Sequence, residues 1–308
     1  MYLFALADRV AKGLRQIDSD RLERHRRFLV RQQMPDGGFR GREGGSDLYY
    51  TGFAIRGLAI SGGLSESTTD SVAGFLAKQS PLQHNVIDLL SWLYGALVIQ
   101  ASGGDDLLED RPLNFVDRIE ARLSDLRTSD GGYAKSPDGT IGSTYHSFLV
   151  VLIHQMLGIT VPRPNALIQF LYDRQRDDGG FVEIAPMKRS GTNPTAAAVA
   201  LLNEAGGMDD DIKADVLGFL TDVASVEGGF QANTRIPFAD GLSTFTGLLT
   251  MQDLGETDII STERIGKFVS VALERNDGGF TGAHWDEQAD TEYTFYGLGI
   301  LGLLNAAR

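Results

Sequence analysis

The sequence predicts an all-α fold of repeated helix pairs, in which a polar-faced helix alternates with an apolar one. Three observations carry this. First, an acidic–Gly–Gly–aromatic tetrad recurs five times: Asp36-Gly37-Gly38-Phe39, Asp130-Gly131-Gly132-Tyr133, Asp178-Gly179-Gly180-Phe181, Glu227-Gly228-Gly229-Phe230 and Asp277-Gly278-Gly279-Phe280. Second, the tetrads keep step. Their first glycines stand at 37, 131, 179, 228 and 278, so the last three intervals are 48, 49 and 50 residues, and the first, 94, is close to two such intervals. A fixed period of this size marks a repeat architecture with one supersecondary unit per period. Third, a hydroxyl lies 16 positions after the first tetrad glycine in four units (Ser147, Thr195, Thr244, Thr294) and 14 after it in the first (Thr51). Asp47, Ser143, Gly191, Asp240 and Asp290 each stand four residues before one of these hydroxyls. Six units of about 48 residues result, one of them without its tetrad near residues 83–85.

Taken in order, residues 1–17 form an N-terminal helix outside the repeats, expected to pack across one end. Asp8, Arg9, Lys12 and Arg15 interrupt its apolar residues, which excludes a secretory signal. Amphipathic runs precede the tetrads at 20–33, 112–126, 164–175, 209–223 and 261–274. In the third, Leu167, Phe170 and Leu171 fall at helical spacing. The acids Asp209, Asp210 and Asp211 open the fourth, where carboxylates suit a helix N-terminus. After each tetrad come a few irregular residues and then a far more apolar run, rich in Gly and Ala: 48–60, 89–101, 144–157, 195–205, 242–254 and 291–306. These lack period-2 alternation and are too long for ordinary strands, so they read as helices buried on most of their circumference. Six such helices must pack inside six amphipathic ones, in an open solenoid or a closed ring. Closure is favoured because residues 296–304 are as apolar as any inner run, so no polar cap ends the array. The length that would allow two domains is thereby read as one, 1–308, with repeats from 18 to 308.

Composition narrows the function. There are 37 glycines in 308 residues, about 12% against a usual ~7%, and the repeats account for the excess. No cysteine is present, which excludes a disulfide scaffold, a thiolate metal site and a Cys nucleophile. Lys and Arg number 28 against 41 Asp and Glu, a net charge of −13 that argues against a nucleic-acid surface. No run reaches the 18 apolar residues of a membrane span, and the reading is cytoplasmic. Neither a phosphate-binding loop with its Lys-Ser/Thr nor a dinucleotide Gly motif occurs.

Six helical hairpins with Gly-Gly-Phe ahead of each inner helix resemble the α/α-toroid of protein prenyltransferase β subunits and of squalene and terpene cyclases. The resemblance runs from about Asp20 to the C-terminus. The segment Gly37-Gly38-Phe39-Arg40-Gly41-Arg42 with Asp47 and Tyr50 is similar to the prenyltransferase pattern, as are Gly228-Gly229-Phe230-Gln231 with Arg235 and Asp240, and Asp290 with Tyr293 and Thr294. The resemblance implies an (α/α)6 toroid, an isoprenoid diphosphate or other prenyl lipid as ligand, and a helical α-subunit-like partner; a homodimer is an equal alternative. In that family zinc is held by Asp, Cys and His, and the matching positions here are Asp240, Leu242 and Tyr293, which argues against zinc. Cyclases carry repeated Gln–Trp and Asp-x-Asp-Asp motifs, whereas Trp92 and Trp285 stand in neither.

Candidate residues follow. Asp47, Asp88, Asp240, Asp290 and Glu292 begin buried-looking helices; they are expected either to cap them or to serve the site, with Asp240 and Asp290 as holders of Mg²⁺. Arg40, Arg42 and Arg235 lie in loops that would meet at one mouth, where guanidinium suits diphosphate; surface pairing is the alternative. Trp92, Tyr145, Phe245 and Tyr293 are the aromatics expected to line a cavity, with His146 as a base or a satisfied core histidine. The expected catalytic set is therefore Asp240, Asp290, Glu292, Tyr293 and His146, and the substrate-binding set Arg40, Arg42, Asp47, Tyr50, Trp92, Tyr145, Arg235 and Phe245. Three functions remain open: a prenyltransferase-like enzyme, a non-catalytic lipid- or protein-binding toroid, and a terpene cyclase-like enzyme.

Overall fold

A computed structural model describes every residue except Asp110, Ala307 and Arg308, so the last two positions of the final repeat lie outside the described residues. Among the described residues the secondary structure is helical, with only isolated β-bridges. In chain order the helices are α1 (Tyr2–Leu14), α2 (Ser19–Val30), α3 (Leu48–Ser61), α4 (Glu66–Ala77), α5 (Val86–Ala101), α6 (Phe115–Ser124), α7 (Thr144–Leu157), α8 (Pro164–Tyr172), α9 (Thr192–Ala205), α10 (Asp210–Asp222), α11 (Gly241–Asp253), α12 (Thr262–Phe268) and α13 (Thr291–Ala306). A short π-helical turn, Val269–Leu273, follows α12. The apolar runs are thus α3, α5, α7, α9, α11 and α13. Two of them start three residues earlier than their hydropathy suggests, at Val86 and Thr192, because the cap sits among polar residues that hydropathy leaves out. The helix α4 precedes the repeat without a tetrad; its Ser- and Thr-rich first half hid it from the periodic reading.

The chain divides into two compact units. Unit 1 takes Leu3–Arg118 and Val269–Arg308 with Met1, and unit 2 takes Ile119–Phe268 with Tyr2. In unit 1, α3 lies between α5 and α13, α2 covers another face of α3, and α4 packs on α5. In unit 2, α9 lies between α7 and α11, α8 packs on α9, and α10 packs on α11. Each unit therefore sets apolar helices side by side behind amphipathic ones.

The tetrad explains the repeat's regularities. Its aromatic is fully or almost fully buried, and its backbone N–H donates to the hydroxyl found at the fixed offset. The bonds are Phe39 to Thr51 (2.8 Å), Tyr133 to Ser147 (2.9 Å), Phe181 to Thr195 (2.9 Å), Phe230 to Thr244 (3.0 Å) and Phe280 to Thr294 (3.1 Å). A buried N–H needs such a partner. The first tetrad glycine turns the chain with positive φ, 95° at Gly37 and 102° at Gly278, and lies against the carbonyl of an outer helix, α4 for Gly37 and α2 for Gly278. A Cβ there would stand 2.0 Å from Ser71 O or 2.3 Å from Arg24 O, so only glycine fits.

Unit 1 is built from both ends of the sequence, and a buried joint fastens them. His25 of α2 is fully buried, stacks on Phe280 at 4.4 Å, accepts the Gly279 N–H at Nδ1 (3.0 Å) and donates from Nε2 to Glu274 (3.1 Å). Burial alone would raise the Glu274 carboxyl, but hydrogen bonds from His25 and Arg21 and the Arg21 charge outweigh it, bringing the pKa to about 2. The Thr291 hydroxyl of α13 donates to Arg40 O at 2.9 Å. Where α1 crosses α13, Gly13 approaches so closely that a Cβ would lie 1.8 Å from Gly302 O.

Candidate functional site

Three of the carboxylates singled out in the sequence cap helices. Asp47 Oδ1 accepts from Tyr49 N (2.8 Å) and Tyr50 N (3.2 Å) at the start of α3, and Asp290 Oδ1 accepts from Tyr293 N (2.8 Å) at the start of α13. Asp240 accepts from Ser243 N (2.7 Å) and Ser243 Oγ (2.8 Å) at the start of α11. Asp88 lies in the first turn of α5, whose cap is Asn85, and its carboxyl is pushed up by burial. Asp209 likewise caps α10, accepting from Ile212 N at 2.8 Å.

Capping leaves one unit 1 cluster with more than a structural arrangement. Arg42 donates from Nη1 to Asp286 Oδ1 (2.9 Å), from Nη2 to Asp286 Oδ2, and from Nε to Asp290 Oδ2 (3.0 Å). The hydrogen bond to Asp286 raises the Arg42 pKa further, which keeps the fork charged. Burial nevertheless holds the Asp290 carboxyl above its usual range. One turn on, the Tyr49 hydroxyl donates to Glu292 Oε1 at 2.8 Å, and burial pushes the Glu292 carboxyl up as well. The Tyr50 ring lies over Gly41 and the Tyr293 ring over Gly282, each within about 3 Å of where a Cβ would stand. Burial first, then the charges of Asp290, Glu292 and Asp47, raise the Tyr50 phenol. Arg42, Asp47, Tyr50, Asp290, Glu292 and Tyr293 are thus brought together. The expected role of Arg42 changes, since two carboxylates already occupy its guanidinium. Arg40 meets the cluster through its backbone carbonyl, and its buried Nε has no hydrogen-bond partner.

From this cluster an aromatic wall runs along α3. Tyr49 meets Phe53 at 4.9 Å, and Phe53 meets Phe295 and Tyr296 of α13, each at 5.4 Å. One turn further lies Arg56, its guanidinium 5.3 Å from the Phe53 ring and 4.7 Å from the Tyr94 ring of α5. Phe4 of α1 packs on the other side of Tyr94 at 5.3 Å. Sequence reasoning passed over Arg56, although a single cation inside an otherwise apolar run was there to see.

Other candidates fall elsewhere. Trp92 is not a cavity residue: it is 0% exposed, donates from Nε1 to Leu76 O (2.9 Å) and is covered by the Arg111 guanidinium at 4.8 Å, which fixes it in the core between α4 and α5. In unit 2, Asp240 is raised by burial, Phe245 is 5% exposed, and Arg235 is exposed with no ion pair among the described residues. Tyr145 and His146 sit beside a carboxylate the sequence reading missed. Glu183 accepts from Ser143 Oγ and from Tyr145 N (3.1 Å), while Ser143 Oγ lies 3.1 Å from His146 Nδ1. Burial, then Lys135, lowers the His146 pKa. Among the described residues no three His, Asp or Glu side chains converge to hold a metal ion. Asp290 accepts from Arg42 and from its own helix, and Asp240 from Ser243. A cavity of about 370 Å³ between α1, α2 and the end of α3, lined by Leu14, Leu22, Arg26 and Ile60, contains none of the expected residues.

The model of the prenyltransferase α/α-toroid domain matches residues 3–85 and 80–308. No curated protein matches the chain. Solved structures do, at low identity. Candida albicans protein geranylgeranyltransferase-I complexed with GGPP is 16% identical, with a TM-score of 0.72 over 92% of this chain and 91% of that one. The type II terpene cyclase MstE from Scytonema is 14% identical, with a TM-score of 0.62 over 96% of this chain and 98% of that one. The GH76A α-1,6-mannanase from Salegentibacter is 12% identical, with a TM-score of 0.59 over 92% and 98%. Such likenesses establish the all-α toroid fold, and the three descriptions differ too widely for the fold alone to fix the chemistry.

Proposed function

The chain belongs to the prenyltransferase α/α-toroid family, and from that premise we propose that it binds an isoprenoid chain bearing an anionic head, in the manner of a prenyltransferase. The observation that carries this is the aromatic wall Tyr49–Phe53–Phe295–Tyr296, continuous at one end with the charged cluster around Arg42 and Asp290. A wall of this kind suits a prenyl chain, because aromatic faces bury its carbons and attract the allylic cation that forms as a diphosphate leaves. The two isoprenoid-related neighbours support the same class: one is complexed with GGPP, and MstE has been described with geranylgeranyl dihydroxybenzoate as substrate. Asp290 and Tyr293 would hold the cluster in register, and Glu292 would take or give a proton beside the wall. No step is routed through a metal. Residues 1–308 are proposed to act as one domain, as the family model spans nearly all of them.

A cyclase-like reading is favoured by one observation: Glu292 is a half-buried carboxyl, raised in pKa, that receives the Tyr49 hydroxyl at the edge of the aromatic wall. Such a group can protonate an alkene. Incubation with farnesyl or geranylgeranyl diphosphate separates the readings. Diphosphate release supports transfer, a cyclised product with the diphosphate retained supports the cyclase, and neither release nor product contradicts both.

A further inference from the structure

Among the described residues, Arg56 is the one Lys or Arg on the six apolar helices α3, α5, α7, α9, α11 and α13. Tyr49, Phe53 and Arg56 follow one another at helical spacing along α3, and Gly57, one turn on from Phe53, meets Leu29 of α2. The side chain is half-buried, and its surroundings are aromatic: Phe53 on its own helix and Tyr94 on α5, itself 4% exposed. Among the described residues no carboxylate lies within ion-pairing distance, no hydrogen bond reaches the guanidinium, and Nε is buried without a partner. The ring faces offset part of the cost, since cation–π attraction is worth about 0.5–2 kcal/mol. They carry no formal negative charge, however, and so supply no counter-ion. A half-buried cation with no counter-ion beside it leaves room for an anionic partner. It is the arrangement expected when the counter-charge arrives with a ligand. The guanidinium presents a planar fork that suits phosphate or carboxylate oxygens.

We propose that Arg56 is the seat for the anionic head of the isoprenoid ligand, with the aromatic wall from Phe53 to Tyr296 taking the adjoining carbons. This rests on the isoprenoid reading above and shifts the head from the loop cluster to about two helical turns inside it, roughly 10 Å along α3. Arg42, by contrast, is already paired with two carboxylates. The head is an oxyanion of the diphosphate or carboxylate kind.

Equilibrium dialysis of the full chain with geranylgeranyl diphosphate, geranylgeranoic acid and uncharged geranylgeraniol tests this. The wild type is expected to hold one of the two charged ligands at least about tenfold more tightly than the alcohol, and the preferred one names the head group. Arg56→Gln is expected to erase that preference while leaving alcohol binding in place. Arg56→Lys keeps the charge but not the fork and is expected to retain part of the preference. Arg27→Gln, on the exposed face of α2, removes the same charge and is expected to change nothing. Far-UV circular dichroism of each variant separates loss of the site from loss of the fold; should Arg56→Gln not fold, Arg56→Lys carries the test. An undiminished preference in Arg56→Gln, or no preference in the wild type, overturns the proposal. If the wild type binds none of the three ligands, the isoprenoid reading fails on its own. Arg56 then stands or falls on inorganic pyrophosphate: a rise in Tm of the wild type that is absent in Arg56→Gln supports an anion seat, and equal responses refute it.

Discussion

Thr195 offers the sharpest test of why the repeats keep their register. It is 0% exposed, receives the Phe181 N–H at 2.9 Å and donates to Gly191 O at 2.7 Å. Thr195→Val keeps shape and volume but leaves that buried N–H with no partner. Gly191 O loses less, because it also accepts the Thr195 backbone N–H at 3.0 Å. An unsatisfied buried donor costs about 1–3 kcal/mol, and the added methyl offsets a fraction, so a net loss of about 1–2 kcal/mol is expected. At roughly 2–4 °C per kcal/mol, Tm should fall by about 2–8 °C. Thr250→Val is the matched control. It is as buried, at 3%, but its hydroxyl only bonds back to Thr246 O at 2.8 Å, so its removal should shift Tm by less than about 1 °C. Thermal unfolding by circular dichroism reads both. Equal shifts in the two variants, or none in Thr195→Val, would refute the register argument.

Three further outcomes are expected. Gly13→Ala should destabilise by more than about 2 kcal/mol, because its Cβ would meet a backbone carbonyl of α13 at 1.8 Å and α1 must move away; denaturant unfolding reads this. The Glu274 carboxyl, depressed to about 2 in the folded state, contributes stability that is full above its unfolded pKa near 4.5 and is lost as pH falls towards 2. That contribution, about 3 kcal/mol at most, should vanish from the acid limb of the stability–pH profile in Glu274→Gln. Glu292→Gln should leave prenyl binding within about threefold but abolish any proton-initiated cyclisation, which product analysis detects.

The tetrads made much of the fold legible in advance. A paired glycine followed by a buried aromatic, with a hydroxyl at a fixed distance, reflects one backbone hydrogen bond repeated five times, and sequence records such a constraint faithfully. The unit without a tetrad shows the limit: α4 lacks that constraint, and Ser and Thr blur its polar and apolar faces. The capping carboxylates Asp47, Asp240 and Asp290 were legible as caps for the same local reason. The site was less so. Arg42 looked available because its partners, Asp286 and Asp290, stand more than 240 residues away. Trp92 looked cavity-facing because helical spacing gives a periodicity but not which side is inward, and its indole N–H is tied outward to α4. Glu183 lay hidden in a loop until the fold set it against Ser143. Arg56 carried a signal, a lone charge in an apolar helix, whose meaning depends on the aromatic rings that surround it in space.

Calorimetric titration of geranylgeranyl diphosphate into the full-length chain tests the central claim most directly. Saturable binding at one site, with a negative heat-capacity change from burial of the prenyl chain against aromatic side chains, is the predicted result. Absence of saturable binding, with and without Mg²⁺, would contradict the claim that this toroid holds an isoprenoid.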